Sequence, residues 1–226
     1  MGKQLVAWQG ISVEVPEDWT LGDIGAGERS GYLRLDDRDM PRLEVKWEHA
    51  PRGSDPELVV RRFLNMLKRG RKGQRAEEVR RGLPLIPERE ERKTLCFLWR
   101  GNFKGYGAAW FCRECKRAVI AQVLGRADER GLEELAKEVL SSLRDHPEGE
   151  ETVWSVYGLT VVVPSDWRLL GFRFLTGYLN LKFGRGKDTV TVHRWAMAEH
   201  LLSEGDLFDF LLQRGSKSLR KVNLEG

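Results

Sequence analysis

The stretch "GISVEVPEDW" at Gly10–Trp19 returns as "GLTVVVPSDW" at Gly158–Trp167, and this recurrence organises the reading of the chain. In the first stretch Ile11, Val13 and Val15 alternate with Ser12 and Glu14, the period of a strand with one buried face. Pro16 cannot donate to a central ladder, so the strand is predicted to end there, with Trp19 folding back as a plug. Downstream, "GYLRL" at Gly31–Leu35 returns as "GYLNL" at Gly177–Leu181, and Trp47 answers to Trp195. Six of the eight tryptophans fall into matched pairs (Trp8/Trp154, Trp19/Trp167, Trp47/Trp195), which points to a tandem architecture.

Working outward, residues 20–30 read as a Gly-rich loop. Strands at Tyr32–Asp36 and Arg42–Glu48 follow, with Leu33, Leu35, Leu43, Val45 and Trp47 facing inward. A helix is predicted over Asp55–Arg69, with Ser54 and Glu57 as a capping box and Val60, Phe63, Leu64 and Leu67 as its buried stripe. Three strands (Thr94–Trp99, Gly105–Phe111, Arg117–Leu124) and a helix over Asp128–Arg144 come next, and "DHPEGEET" at 145–152 reads as a linker. The second copy repeats the opening strands, loop and strand pair, then a helix from Ser203 to Gly215. It has no counterpart of the later strands and second helix. The expectation is an α+β fold: an antiparallel β-sheet flanked by α-helices, internally duplicated, with a complete unit at 1–149 and a truncated copy at 150–226. The truncated sheet should leave an edge that needs covering.

The element order and the turns Val15-Pro16-Glu17-Asp18-Trp19 and Val163-Pro164-Ser165-Asp166-Trp167 resemble the PsbP-like superfamily. The resemblance implies an antiparallel sheet with helices on both faces and relatives that serve as binding and scaffolding modules. It carries over no site residue.

Charged residues make up 32% of the chain, Arg outnumbers Lys by 26 to 12, and Asn and Gln together number only nine. This is the ionic, amide-poor balance of thermophile proteins. No apolar run is long enough to span a bilayer and the N-terminus lacks the pattern of a secretory signal, so a cytoplasmic chain with no membrane association is expected. The net charge of +4 is concentrated. Lys68, Arg69, Arg71, Lys72, Arg75, Arg80 and Arg81 face only Glu77 and Glu78 within residues 68–81.

Cys112-Arg-Glu-Cys115 lies between two predicted strands, at a hairpin tip. Free thiols, a disulfide, or half of a zinc site shared across a dimer all fit that spacing. A closed structural site needs four ligands, and neither Cys96 nor the four histidines stand at a recognisable spacing. No cofactor is expected, with zinc kept as the alternative. Cys96 and His193 are predicted to point into the core, as are Trp19, Trp47, Trp167 and Trp195. "LGDIGAGERSG" departs from the dinucleotide-loop pattern, and no Ser occupies a nucleophile-elbow context. The sequence therefore predicts a non-enzymatic binding or scaffold protein that acts through protein–protein contacts, with self-association among them. The alternative is a nucleic-acid-associated protein using the basic segment 68–81 as a phosphate clamp that does not discriminate sequence.

Overall fold

The computed structural model describes residues 2–69, 77–203 and 206–214. Along the chain run β1 (Lys3–Trp8), β2 (Ile11–Pro16), β3 (Thr20–Ala26), β4 (Ser30–Asp36), β5 (Pro41–His49), α1 (Pro56–Lys68) and β6 (Glu78–Arg81). There follow β7 (Arg92–Arg100), β8 (Phe103–Cys112), β9 (Arg117–Arg126), α2 (Leu132–Ser142), β10 (Glu151–Val156) and β11 (Leu159–Pro164). The last elements are β12 (Arg168–Leu175), β13 (Tyr178–Arg185), β14 (Asp188–Trp195), α3 (Ala198–Leu201) and α4 (Leu207–Arg214). Two compact units result, one up to Ser165 and one from Asp166 onward.

Strand accounts for 52% of the structure and helix for 17%, in three antiparallel sheets. The expected α+β class is thus overturned in favour of a β-rich fold. The physical cause is visible at residues 20–26 and 168–175, which the sequence presents as Gly-containing loops. Both are strands, β3 and β12. Most residues of β3 and β12 are exposed or half-buried, and each has a bulge, between Leu21 and Asp23 and between Leu169 and Gly171. Neither therefore carries the period-two signature. The expected duplication is not shown either: the recurring hairpins share one sheet, and the strands that follow them enter sheets of unequal size. β10–β11 joins β1–β2 in one four-stranded sheet of order β11-β10-β1-β2, whereas β12–β13–β14 forms a three-stranded sheet.

The first unit is organised by a seven-stranded sheet of order β3-β4-β5-β9-β8-β7-β6. Successive side chains on a strand alternate between faces. On one face Val60 and Leu64 of α1 bury against Phe97, Trp99 and Ala109. Two glycines on β8 make room for those rings. A Cβ at Gly105 would lie 2.4 Å from the Trp99 indole nitrogen, and one at Gly107 would lie 2.3 Å from Phe97. The opposite face carries Leu33, Leu35, Leu43, Val45, Val119, Ala121 and Val123, all buried, and α2 seats Leu132 over Gly125.

The four-stranded sheet adds Trp8 and Trp154, whose rings meet edge to face at 5.2 Å. The Trp8 indole N–H donates to the Gly25 carbonyl of β3 at 3.2 Å. Both hairpins of this sheet turn through a pair of left-handed residues, Gln9–Gly10 and Tyr157–Gly158, the turn whose twist suits two-residue hairpins.

Helix α1 begins one residue later than the capping-box reading requires. Asp55 is the N-cap, its carboxylate accepting from the Glu57 N–H at 3.1 Å, and Pro56 fills the first helical position. Beyond α2 the chain pairs with the outer edge of β2: Ser12 N–H donates to the Arg144 carbonyl at 3.1 Å and Arg144 N–H returns to Ser12 at 2.8 Å. This brings Asp145 and His146, read from sequence as linker, to the turn joining β8 and β9.

In the second unit His193 is exposed rather than inward. Its ring stacks on Trp195 and its Nδ1 lies 2.8 Å from the Tyr178 hydroxyl. Trp167 and Trp195 are half-buried, whereas Trp19 and Trp47 are buried.

Candidate functional site

Helix α1 carries a second stripe beside its buried one. Val59, Arg62, Phe63 and Met66, at the i, i+3, i+4, i+7 spacing, line the side of the helix toward β4, β5 and β9, with Val59 and Phe63 also packed against the core and the Phe63 ring 5.6 Å from that of Phe97. Because α1 seats on β7, β8 and β9, the β4–β5 side of that face stays uncovered, and a groove of about 410 Å³ opens between helix and sheet. Its floor is Tyr32, Lys46 and Ile120, a cross-strand row fixed by the pairs Tyr32↔Lys46 and Lys46↔Ile120. Glu48 and Arg62 add charges of opposite sign to its lining.

The floor is held in place by a polar chain. The Trp99 indole donates to Gln122 Oε1 at 2.8 Å, and the Gln122 amide donates to Glu44 Oε2 at 2.9 Å. The Tyr32 hydroxyl donates to the other Glu44 oxygen at 3.3 Å, and the Lys46 ammonium sits 5.2 Å from the Tyr32 ring centre. Burial, and then the charge of Glu44, push the Tyr32 phenol above its ordinary range, so it remains a neutral donor.

At the far end of β8 a different chemistry gathers. Cys112, Cys115, Asp145 and His146 each offer one ligand atom, and these atoms lie within 4.8 Å of one another. Cys112 Sγ is 3.7 Å from His146 Nδ1, which is 2.9 Å from Asp145 Oδ1. The Trp110 indole donates to Asp145 Oδ2 at 2.9 Å and Arg117 Nη1 donates to the Asp145 carbonyl at 2.9 Å. Glu114 Oε2 lies 3.1 Å from His146 Nε2. Burial and the neighbouring Asp145 charge push the Cys115 thiol up to about 12. Arg92 is buried over the Trp110 ring at 4.5 Å, and burial holds its guanidinium below its ordinary value. Cys96 is buried as expected, and desolvation raises its thiol.

No protein-family model matches the chain, and no curated protein matches it. The functional reading therefore rests on these two sites and on the basic segment.

Of that segment, Arg71, Lys72 and Arg75 lie outside the described residues. Lys68 ends α1 and Arg69 caps it. Arg80 and Arg81 belong to edge strand β6, where Arg80 meets Glu78 at 2.8 Å and Arg81 meets Glu57 at 3.6 Å. The structure thus gives two of the cations carboxylate partners. Among the described residues no helix is long and apolar enough to cross a membrane.

Sequence reasoning named Cys112 and Cys115 but missed Asp145 and His146, which join them only because the chain after α2 is tied to β2. It also missed the groove, whose signal was present as the 59/62/63/66 stripe next to the core stripe.

Proposed function

We propose that this chain is a non-enzymatic binding protein whose groove beside α1 takes a short segment of a partner protein, one with an apolar anchor flanked by acidic residues. The observation that carries the reading is the stripe Val59, Phe63 and Met66 opposite Ile120 and Tyr32, with Met66 58% exposed at the groove's lip. A concave apolar cleft on a rigid floor is the usual form of a recognition site, and its volume lies within the ~300–1,000 Å³ that such clefts occupy. Charge selects the occupant. Over Pro56–Lys68 the helix carries Arg61, Arg62 and Lys68 against Glu57, and Lys46 rises from the floor. An acidic flank meets complementary potential there and is steered to the groove. The carboxylate partners of Arg80 and Arg81 favour this reading over a phosphate clamp, since a cation already paired releases fewer counterions.

The test is selection of a random peptide library on the full chain, with affinities of the recovered peptides measured by calorimetry. The expected peptides pair an aromatic or aliphatic residue with Asp or Glu. Met66→Asp should weaken them at least ~10-fold, and Arg62→Glu should weaken those richest in acid. Peptides that bind both variants as well as the parent would overturn the groove. Tight binding of mixed-sequence RNA or DNA that collapses with salt would overturn the protein partner in favour of a nucleic-acid one.

A further inference from the structure

We propose that Cys112, Cys115, Asp145 and His146 form a closed binding site for a zinc-type divalent cation, contained within one chain. The donor set is the first argument. Two thiolates with an imidazole select zinc over the hard cations, which prefer all-oxygen shells, and a carboxylate completes four ligands. The spacing is the second. Bonds of ordinary length around tetrahedral zinc separate neighbouring ligand atoms by ~3.3–3.8 Å. The 3.7 Å between Cys112 Sγ and His146 Nδ1 already fits, and the 2.9 Å between His146 Nδ1 and Asp145 Oδ1 opens slightly on loading. The whole set, within 4.8 Å, contracts by about 1 Å at most.

The surroundings are the third argument. A metal-bound histidine is oriented by a partner on its other nitrogen, and Glu114 stands 3.1 Å from His146 Nε2 to receive that proton. Trp110 fixes the second oxygen of Asp145, leaving Oδ1 beside His146 Nδ1 at 2.9 Å. Binding releases the two thiol protons to solvent, while the imidazole binds through Nδ1 and keeps one proton on Nε2, facing Glu114. Two thiolates and a carboxylate then exceed the metal's charge by one, which Arg117 and the buried Arg92 offset. Cys112 is fully buried and Asp145 nearly so, so the cluster is built into the fold rather than scattered on its surface.

The test uses the full chain, purified under reducing conditions, with Zn(II) and Co(II) as probes. One zinc per chain should survive dialysis, and the cobalt form should show sulfur-to-metal charge transfer with the intense visible bands of a tetrahedral site. Cys115→Ser and His146→Asn should each weaken binding by more than ~100-fold. Asp145→Asn should weaken it by about tenfold and keep the charge-transfer bands. Alkylation of Cys115 in the unmutated protein should be blocked by zinc and restored by a chelator. This reading does not depend on how the variants fold. Chain that binds no metal, metal bound equally well by Cys115→Ser, or a Cys112–Cys115 disulfide in the reduced preparation would each overturn the proposal.

Discussion

Arg42 and Glu129 meet as a two-bond fork across 87 residues of sequence: Nη1 donates to Oε2 at 2.8 Å and Nη2 to Oε1 at 2.6 Å. The guanidinium is buried, with Asp37 at 3.4 Å as its other acidic neighbour, while the carboxylate remains a quarter exposed. The pair ties β5 to the turn before α2, and so fixes where α2 leaves the sheet. Planar two-bond geometry of this kind is the strong form of the ion pair.

Replacing Glu129 with Gln leaves a buried cation short of its main partner. The variant should lose about 2–3 kcal/mol in urea unfolding. Removing the exposed Lys137, which pairs with Glu133 on the surface of α2, should change the midpoint little. Equal effects of the two substitutions would show that the fork is merely a surface contact.

The same fork sets an acid limit. Its hydrogen bonds to Arg42 hold the Glu129 carboxyl below the ordinary carboxylate range. A group depressed in the folded state contributes stability above its unfolded value, about 4.3, and loses it as pH falls through the folded value. The stability gap between the parent and Glu129→Gln should therefore be full near neutral pH and narrow as pH falls below ~4. A gap that stays constant across that range would contradict the linkage.

Gly107→Ala should destabilise the first unit by about 1–3 kcal/mol, because the added Cβ meets both the Phe97 ring and the Ala121 carbonyl, at 2.3 and 2.8 Å. Phe97→Leu should relieve part of that cost in the double variant. Additive losses in the four-way cycle would mean that ring and glycine are not coupled.

Trp154→Ala should cost the first unit about 3–5 kcal/mol, since Trp154 is 4% exposed and packs edge-on against Trp8. If unfolding of the first unit is unaffected, hairpin β10–β11 is not part of its core.

At the start of α1, Asp55→Ala should cost about 1 kcal/mol and Ser54→Ala a few tenths at most. The reverse order would restore the capping-box reading.

The residues that declared themselves in the sequence are those with one wet and one dry face. Ile11, Val13 and Val15, and likewise Leu43, Val45 and Trp47, alternate and are buried as their period dictates. β3 and β12 were illegible because edge strands with a bulge have no dry face to repeat. The four residues of the metal cluster split the same way. Cys112 and Cys115 are visible as a local spacing, but Asp145 and His146 are placed by the backbone pairing of Ser12 with Arg144, and no local pattern announces a contact across 132 residues. His193 aligns with the buried Val45 in the recurrence, yet it is exposed. In β14 that position faces outward, and the ring finds Tyr178 and Trp195 instead.

The edge-to-face contact between Trp8 and Trp154 has a temporal side. A chain emerging from a ribosome at ~5–20 residues per second needs roughly 7–30 seconds to lengthen from one tryptophan to the other. For that interval the first hairpin has no β10 beside it, and one of its largest apolar rings must wait, shielded by nothing it will finally touch on that side. The nascent first unit thus keeps an open seam at its very first strand until its final hairpin is made.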